Sequence, residues 1–164
     1  MKVGITGHQN IGTTDDVAWV TGQLQGLIDK HPDISGITSL AIGADQLYAT
    51  LLVASRKDFM VIVPCDNYEQ TFSRPEDLAR YTSLLGQASE IVRLSYACPS
   101  EKAYWEAGKR VSESSDFIAA VWNGLPAQGL GGTADVVRYC REIGKVVLHI
   151  NPRTRQVGEI LPLS

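Results

Sequence analysis

Three turns in this 164-residue chain place groups with chemical capability directly after apolar, strand-like runs. The fullest is residues 127–137, in which Gln128, Gly129, Gly131, Gly132 and Thr133 precede a segment whose Val136, Val137, Cys140 and Ile143 recur at helical spacing. Glycines there let backbone N–H groups approach an anion without interference from a Cβ, and the free amides and dipole of a starting helix attract negative charge. A phosphate-bearing ligand suits that chemistry. The same residues also describe a flexible loop that ends in a threonine helix cap. Asp135, in the first turn after those glycines, is either a contact to ribose or a weak general base, or a carboxylate that simply stabilises the helix start.

The turn Gly43-Ala44-Asp45 repeats the pattern after a second strand candidate. Asp45 there is placed to accept hydrogen bonds from ribose hydroxyls or from the neighbouring loop amides. In the first turn, Gly7-His8, the imidazole is placed to contact a base or phosphate, to move a proton near neutral pH, or to tie its own loop together. Trp122-Asn123-Gly124 ends the strand that precedes residues 127–137, with an aromatic plane and an amide on the path a base or sugar takes to the glycine-rich turn.

Other reactive side chains fit no such pattern. His8, His31 and His149 lack metal-ligand spacing, and Cys65, Cys98 and Cys140 form no metal-type pair and have no recognisable base nearby, so neither a metal nor a cofactor is expected. Tyr104 and Trp105 offer a plane for a purine or, more commonly at helical positions, core packing. Arg74, Lys102 and Arg138 are candidates to neutralise phosphate, with solvated surface charge as the plainer reading.

The elements that must position these groups alternate along the chain. Strands are predicted over residues 2–6, 37–42, 59–63, 90–94, 117–122 and 145–150, with an edge strand or polar tail in 151–164 around residues 156–160. Helices are predicted over about 14–30, after Asp45, over 76–85 and 99–113, and after Thr133. In the first helix Val17, Val20, Leu24, Leu27 and Ile28 mark the buried stripe, and Gly22 with Gly26 are read as packing devices that let it sit close to a sheet. This rhythm predicts one α/β domain over residues 1–164, with three layers and a mostly parallel sheet of about six strands covered by helices on both faces. In such a sheet ligands settle outside the carboxyl ends of the strands, where strand order reverses, so the loops at 7–12, 43–45, 95–100 and 123–133 are expected to meet at one site.

Bulk composition bounds the partners. A content of 44% hydrophobic and 20% charged residues fits a soluble globular protein, and a formal charge of −3 argues against a broad nucleic-acid footprint. Three separated cysteines fit reduced thiols in the cytoplasm, and neither a charged leader nor a long apolar stretch points to secretion or a membrane.

Three segments together carry a family resemblance: Val3-Gly4-Ile5-Thr6-Gly7-His8, Ser39-Leu40-Ala41-Ile42-Gly43-Ala44-Asp45 and Gly129-Leu130-Gly131-Gly132-Thr133-Ala134-Asp135. Over roughly residues 1–150 they resemble the Rossmann-like superfamily that includes the LOG phosphoribohydrolases (also called lysine decarboxylase-like), the DNA-processing protein A domain and the SLOG sensors of nucleotide-derived ligands. The resemblance implies a pocket for a small nucleotide or nucleotide derivative, phosphate held by Gly131-Gly132-Thr133, and a homodimer. It also implies an alternative, hydrolysis of the N-glycosidic bond of a nucleoside monophosphate. The hydrolases' motif P-G-G-x-G-T-x-x-E, set on Gly132-Thr133, puts Val136 on the catalytic glutamate, and their arginine falls near Ala107. Asp135 is one residue from that glutamate position, a rotation of about 100° on a helix.

Overall fold

The computed structural model describes residues 1–127 and 129–164; Gln128, within the glycine-rich stretch, lies outside the described residues. The chain runs β1 (Lys2–Gly7), α1 (Thr14–Lys30), β2 (Ser35–Thr38), α2 (Ala44–Ala54), β3 (Phe59–Val63), a 3₁₀ turn (Tyr68–Thr71), α3 (Pro75–Leu85), β4 (Glu90–Arg93), α4 (Glu101–Ser114), β5 (Phe117–Val121), α5 (Thr133–Glu142), β6 (Val147–Asn151) and β7 (Gln156–Ile160). The sheet has seven strands in the order β4-β3-β2-β1-β5-β6-β7. All neighbours are parallel except β7, which pairs antiparallel with β6 as the expected edge strand. Strand order reverses beside β1, which pairs with β2 on one side and β5 on the other.

Side-chain alternation along the strands builds two cores. Val3 and Ile5 of β1, Val61 and Val63 of β3 and Ala119 and Val121 of β5 pack with Val20, Leu24 and Leu27 of α1, Tyr48 and Leu52 of α2 and Leu84 of α3. Ile62, Ile118 and Ala120 face the other way, onto Ala107 and Val111 of α4 and Val136, Val137 and Cys140 of α5. Gly4 is what lets α4 lie against β1: a Cβ there would sit 2.5 Å from Ser115 Oγ and 2.9 Å from Val111 Cγ1, and would also strike Ile118.

Helix starts follow local chemistry. Thr13 and Asp16 form a capping box on α1, with the Thr13 hydroxyl accepting from Asp16 N and the Asp16 carboxylate accepting from Thr13 N. Pro75 occupies the first turn of α3, and Ser100 caps α4 by accepting from Ala103 N at 3.1 Å.

Three expectations are corrected. Val17 is 36% exposed, and the stripe of α1 begins at Val20. Gly22 and Gly26 pack against nothing: a Cβ at either would have no neighbour within 4 Å, because both lie off the buried face. β2 ends at Thr38, not at residue 42, because Leu40 turns to φ +55° and Asp45 pulls the backbone after Thr38 into a turn. All three cysteines are free, and among the described residues no helix is long and apolar enough to cross a membrane.

Candidate functional site

A cavity of about 510 Å³ opens at the carboxyl ends of β1, β2, β3 and β5, where strand order reverses. Gly7, His8, Asp45, Asn123, Gly131, Gly132 and Thr133 line it; Gly43, Ala44, Gly124, Gly129 and Asp135 do not. The division has a physical cause at each turn.

At α5 the glycine-rich turn faces the cavity. Gly132 is the N-cap and provides no side-chain hydrogen bond, so the amides of Thr133 and Ala134, both lining residues, have neither an intrahelical acceptor nor a cap. Gly131, at φ +84°, runs against the backbone of α4, where a Cβ would meet Trp105 N at 2.9 Å. Gly129 backs onto Glu101, whose Oε1 would lie 2.8 Å from a Cβ, and Gly124 turns toward Asn151 and His149. Asp135 bends back from the cavity: its Oδ2 accepts from Gly131 N at 3.1 Å and its Oδ1 from Arg138 at 2.8 Å. The carboxylate therefore holds the turn.

The second glycine turn packs instead of opening. Ala44 N donates to His8 O at 3.2 Å, and Gly43, at φ +88°, presses on the backbone of His8 and Gln9. Gly7 permits this crossing, since a Cβ there would lie 2.5 Å from that of Ala44. The start of α2 is thus sealed by the loop after β1. Asp45, 6% exposed, accepts from Ser39 N and the Thr38 hydroxyl, each at 2.9 Å. Burial pushes its carboxyl up to about 6, against the lowering pull of the hydrogen bonds from Ser39, Thr38 and Ala41.

His8 joins the two strands at the reversal. Its Nε2 accepts from Asn123 N at 3.1 Å, which requires that nitrogen to carry no proton, and its own amide donates to Val121 O. The loop after β5 is braced further: Asn123 Oδ1 accepts from Leu125 N at 3.0 Å, and Trp122 Nε1 donates to Leu125 O at 2.8 Å. Trp122 keeps a surface on the cavity, as does Tyr104, whereas Trp105 packs on Tyr139 with ring centroids 5.6 Å apart.

No lysine or arginine is among the described lining residues. Arg74 pairs with Glu76 and Asp77, and Arg138 with Asp135 and Glu142; Lys102 is exposed. An anion here has backbone amides and a helix dipole for partners, and no side-chain cation. Val136, on which the resemblance sets the hydrolases' glutamate, and Ala107, near which it sets their arginine, are both cavity wall. Among the described residues no group of acidic, histidine or cysteine side chains is arranged to hold a metal.

The expected loop at 95–100 contributes nothing to the lining, because β4 lies at the sheet edge, three strands from β1. The loop after β3 takes its place with Pro64, Tyr68, Thr71 and Phe72. The sequence predicts no element between the strand ending at residue 63 and the helix starting at residue 76, although Tyr68 and Phe72, four residues apart and both buried, are a signal of one.

No family model matches the sequence, and no curated protein matches it. By structure the chain is similar to DNA processing protein A from Streptococcus pneumoniae, with a TM-score of 0.64 and 13% identity over 90% of this chain and 49% of that one. It is similar to DNA processing protein A from Helicobacter pylori, with a TM-score of 0.60 and 14% identity over 87% and 61%; that structure was described for its single-stranded DNA binding mode. The protein TM1055 matches with a TM-score of 0.57 and 14% identity over 88% and 70%. The chain spans about half to three fifths of the length of the two DNA processing proteins. The Rossmann-like α/β fold that the three motifs implied is the fold of this chain.

Proposed function

We propose that the chain binds a small phosphorylated nucleotide or nucleotide derivative and acts as a sensor or carrier module. The observation that carries this reading is the uncapped first turn of α5, whose residues Thr133 and Ala134 line a cavity at the strand-order reversal. A volume of about 510 Å³ lies within the range of small-molecule sites. Ligand residues in this reading are Gly131, Gly132 and Thr133 for phosphate and His8, Trp122 and Asn123 along the path to it. Asp45 and Asp135 shape the two turns.

Hydrolysis of a nucleoside monophosphate is the weaker alternative. It needs a carboxylate at the glycosidic bond, and Val136 stands where the hydrolases carry theirs, with Asp135 engaged by Gly131 and Arg138. Isothermal titration with nucleoside monophosphates, ADP-ribose-type compounds and cyclic dinucleotides tests the binding reading, and absence of heat with every member in folded protein removes it. A single-stranded oligonucleotide at several salt concentrations belongs in the same panel, since salt-sensitive binding would redirect the reading to nucleic acid. Sedimentation equilibrium reads the homodimer that the resemblance implies.

A further inference from the structure

The cavity has two unlike ends. At one end are the amides of α5; at the other is the 3₁₀ turn, where Tyr68 lines the cavity while only 4% exposed. Its ring is locked edge-on to Phe72 at 5.3 Å and to Tyr81 at 5.5 Å, and tilted against Tyr104 at 6.4 Å. Its hydroxyl makes no hydrogen bond among the described residues. A phenol held this firmly has no freedom to seek another partner within the protein, and its oxygen keeps open surface, unlike the fully buried Tyr81 hydroxyl. Burial raises the Tyr68 phenol well above its ordinary value, and the nearby Asp45 carboxylate adds to this, so the end of the cavity near Tyr68 disfavours a second anion.

We propose that Tyr68 is a specificity-determining residue of this cavity, its hydroxyl bonding the uncharged, hydroxyl- or amine-bearing end of a nucleotide whose phosphate lies against α5. The inference rests on the nucleotide reading above and adds to it the residue that recognises the remainder of the molecule. Tyr81 is a built-in control: it is 1% exposed, its hydroxyl is buried and unpaired, and it does not line the cavity.

The experiment is titration of AMP, GMP, CMP and UMP into the unaltered protein, Tyr68→Phe and Tyr81→Phe, with thermal melting of each. The best-bound monophosphate is expected to lose about fivefold to tenfold in affinity with Tyr68→Phe, the worth of one neutral hydrogen bond. The melting temperature of Tyr68→Phe should hold, because no hydrogen bond within the protein is removed. Tyr81→Phe should hold or raise it and leave affinity within about twofold. Unchanged affinity in Tyr68→Phe, or an equal loss in Tyr81→Phe, overturns the inference while leaving nucleotide binding intact. Absence of binding by all four monophosphates to the unaltered protein overturns the inference, and the nucleotide reading falls with it only if the ADP-ribose-type compounds and cyclic dinucleotides also fail to bind. A second measurement needs no variant: ribose 5-phosphate should bind the unaltered protein at least tenfold more weakly than the best monophosphate, and equal binding also overturns the inference.

Discussion

The Asp135 carboxylate lies 3.1 Å from the amide of Gly131, and this bond turns the acidic residue nearest the hydrolases' glutamate position into a brace for the glycine-rich turn. With its second oxygen on Arg138, Asp135 has no oxygen directed at a ligand. Asp135→Asn preserves an oxygen acceptor for Gly131, so it is expected to leave nucleotide affinity within about threefold. Asp135→Ala frees the turn and should weaken affinity further, with a stability loss of about 1 kcal/mol for the lost cap-like bond. Chromatography of long incubations with nucleoside monophosphates should find no free base with any of the three proteins; base release that disappears in Asp135→Asn would restore the hydrolase.

The order of strands and helices was readable because each element carries its own period, and the site at the reversal followed from topology. What could not be read were contacts across long separations. Gly43 and Ala44 look like a second anion turn until the loop at His8 and Gln9 is seen to close it, a contact between residues some 35 positions apart that no local pattern encodes. Tyr68 was lost for another reason: in a stretch with Asp66, Asn67, Glu69 and Gln70, polar composition masked a short turn built on two aromatics. Gly22 differs from both, since a residue midway between Val20 and Leu24 lies on the opposite side of a helix and its place off the buried face is set by local spacing.

That geometry makes α1 a place to add stability. A Cβ at Gly22 or Gly26 meets open space, and neither residue has a positive φ, so alanine costs nothing in the fold and removes freedom from the unfolded chain. Gly22→Ala and Gly26→Ala are each expected to stabilise by about 0.5–1 kcal/mol, read as a raised urea midpoint with unchanged slope.

The reverse holds at Gly4. Here a methyl group collides with side chains on α4 and β5, including the buried Ser115 hydroxyl that donates to Val111 O at 2.6 Å. Gly4→Ala must push α4 off the sheet or displace Ile118, and a loss of about 3 kcal/mol is expected, at the upper end of overpacking costs. Gly108→Ala, which brings one contact of 2.8 Å with Val136 Cγ2, should cost less, and equilibrium unfolding of the two variants checks the order.

Asp45 links the same architecture to pH. Its carboxyl is pushed up to about 6 in the fold from an ordinary 3.8, so between those values the folded protein binds a proton that the unfolded chain has released. The stabilisation linked to that proton is complete below about 3.8 and is lost as pH rises through 6. Asp16 and Glu76, whose carboxyls are held low first by backbone hydrogen bonding, act in the opposite sense and lose their contribution as pH falls. Asp45→Asn separates the terms: its amide oxygen accepts the same bonds from Ser39 N and the Thr38 hydroxyl, with no charge to bury. Stability of the variant relative to the unaltered protein should therefore climb as pH rises from 4 to 7 and then level off, measured as the difference in urea unfolding free energy at each pH. A flat difference across that window would mean that the Asp45 carboxyl ionises in the folded protein as it does in the unfolded chain.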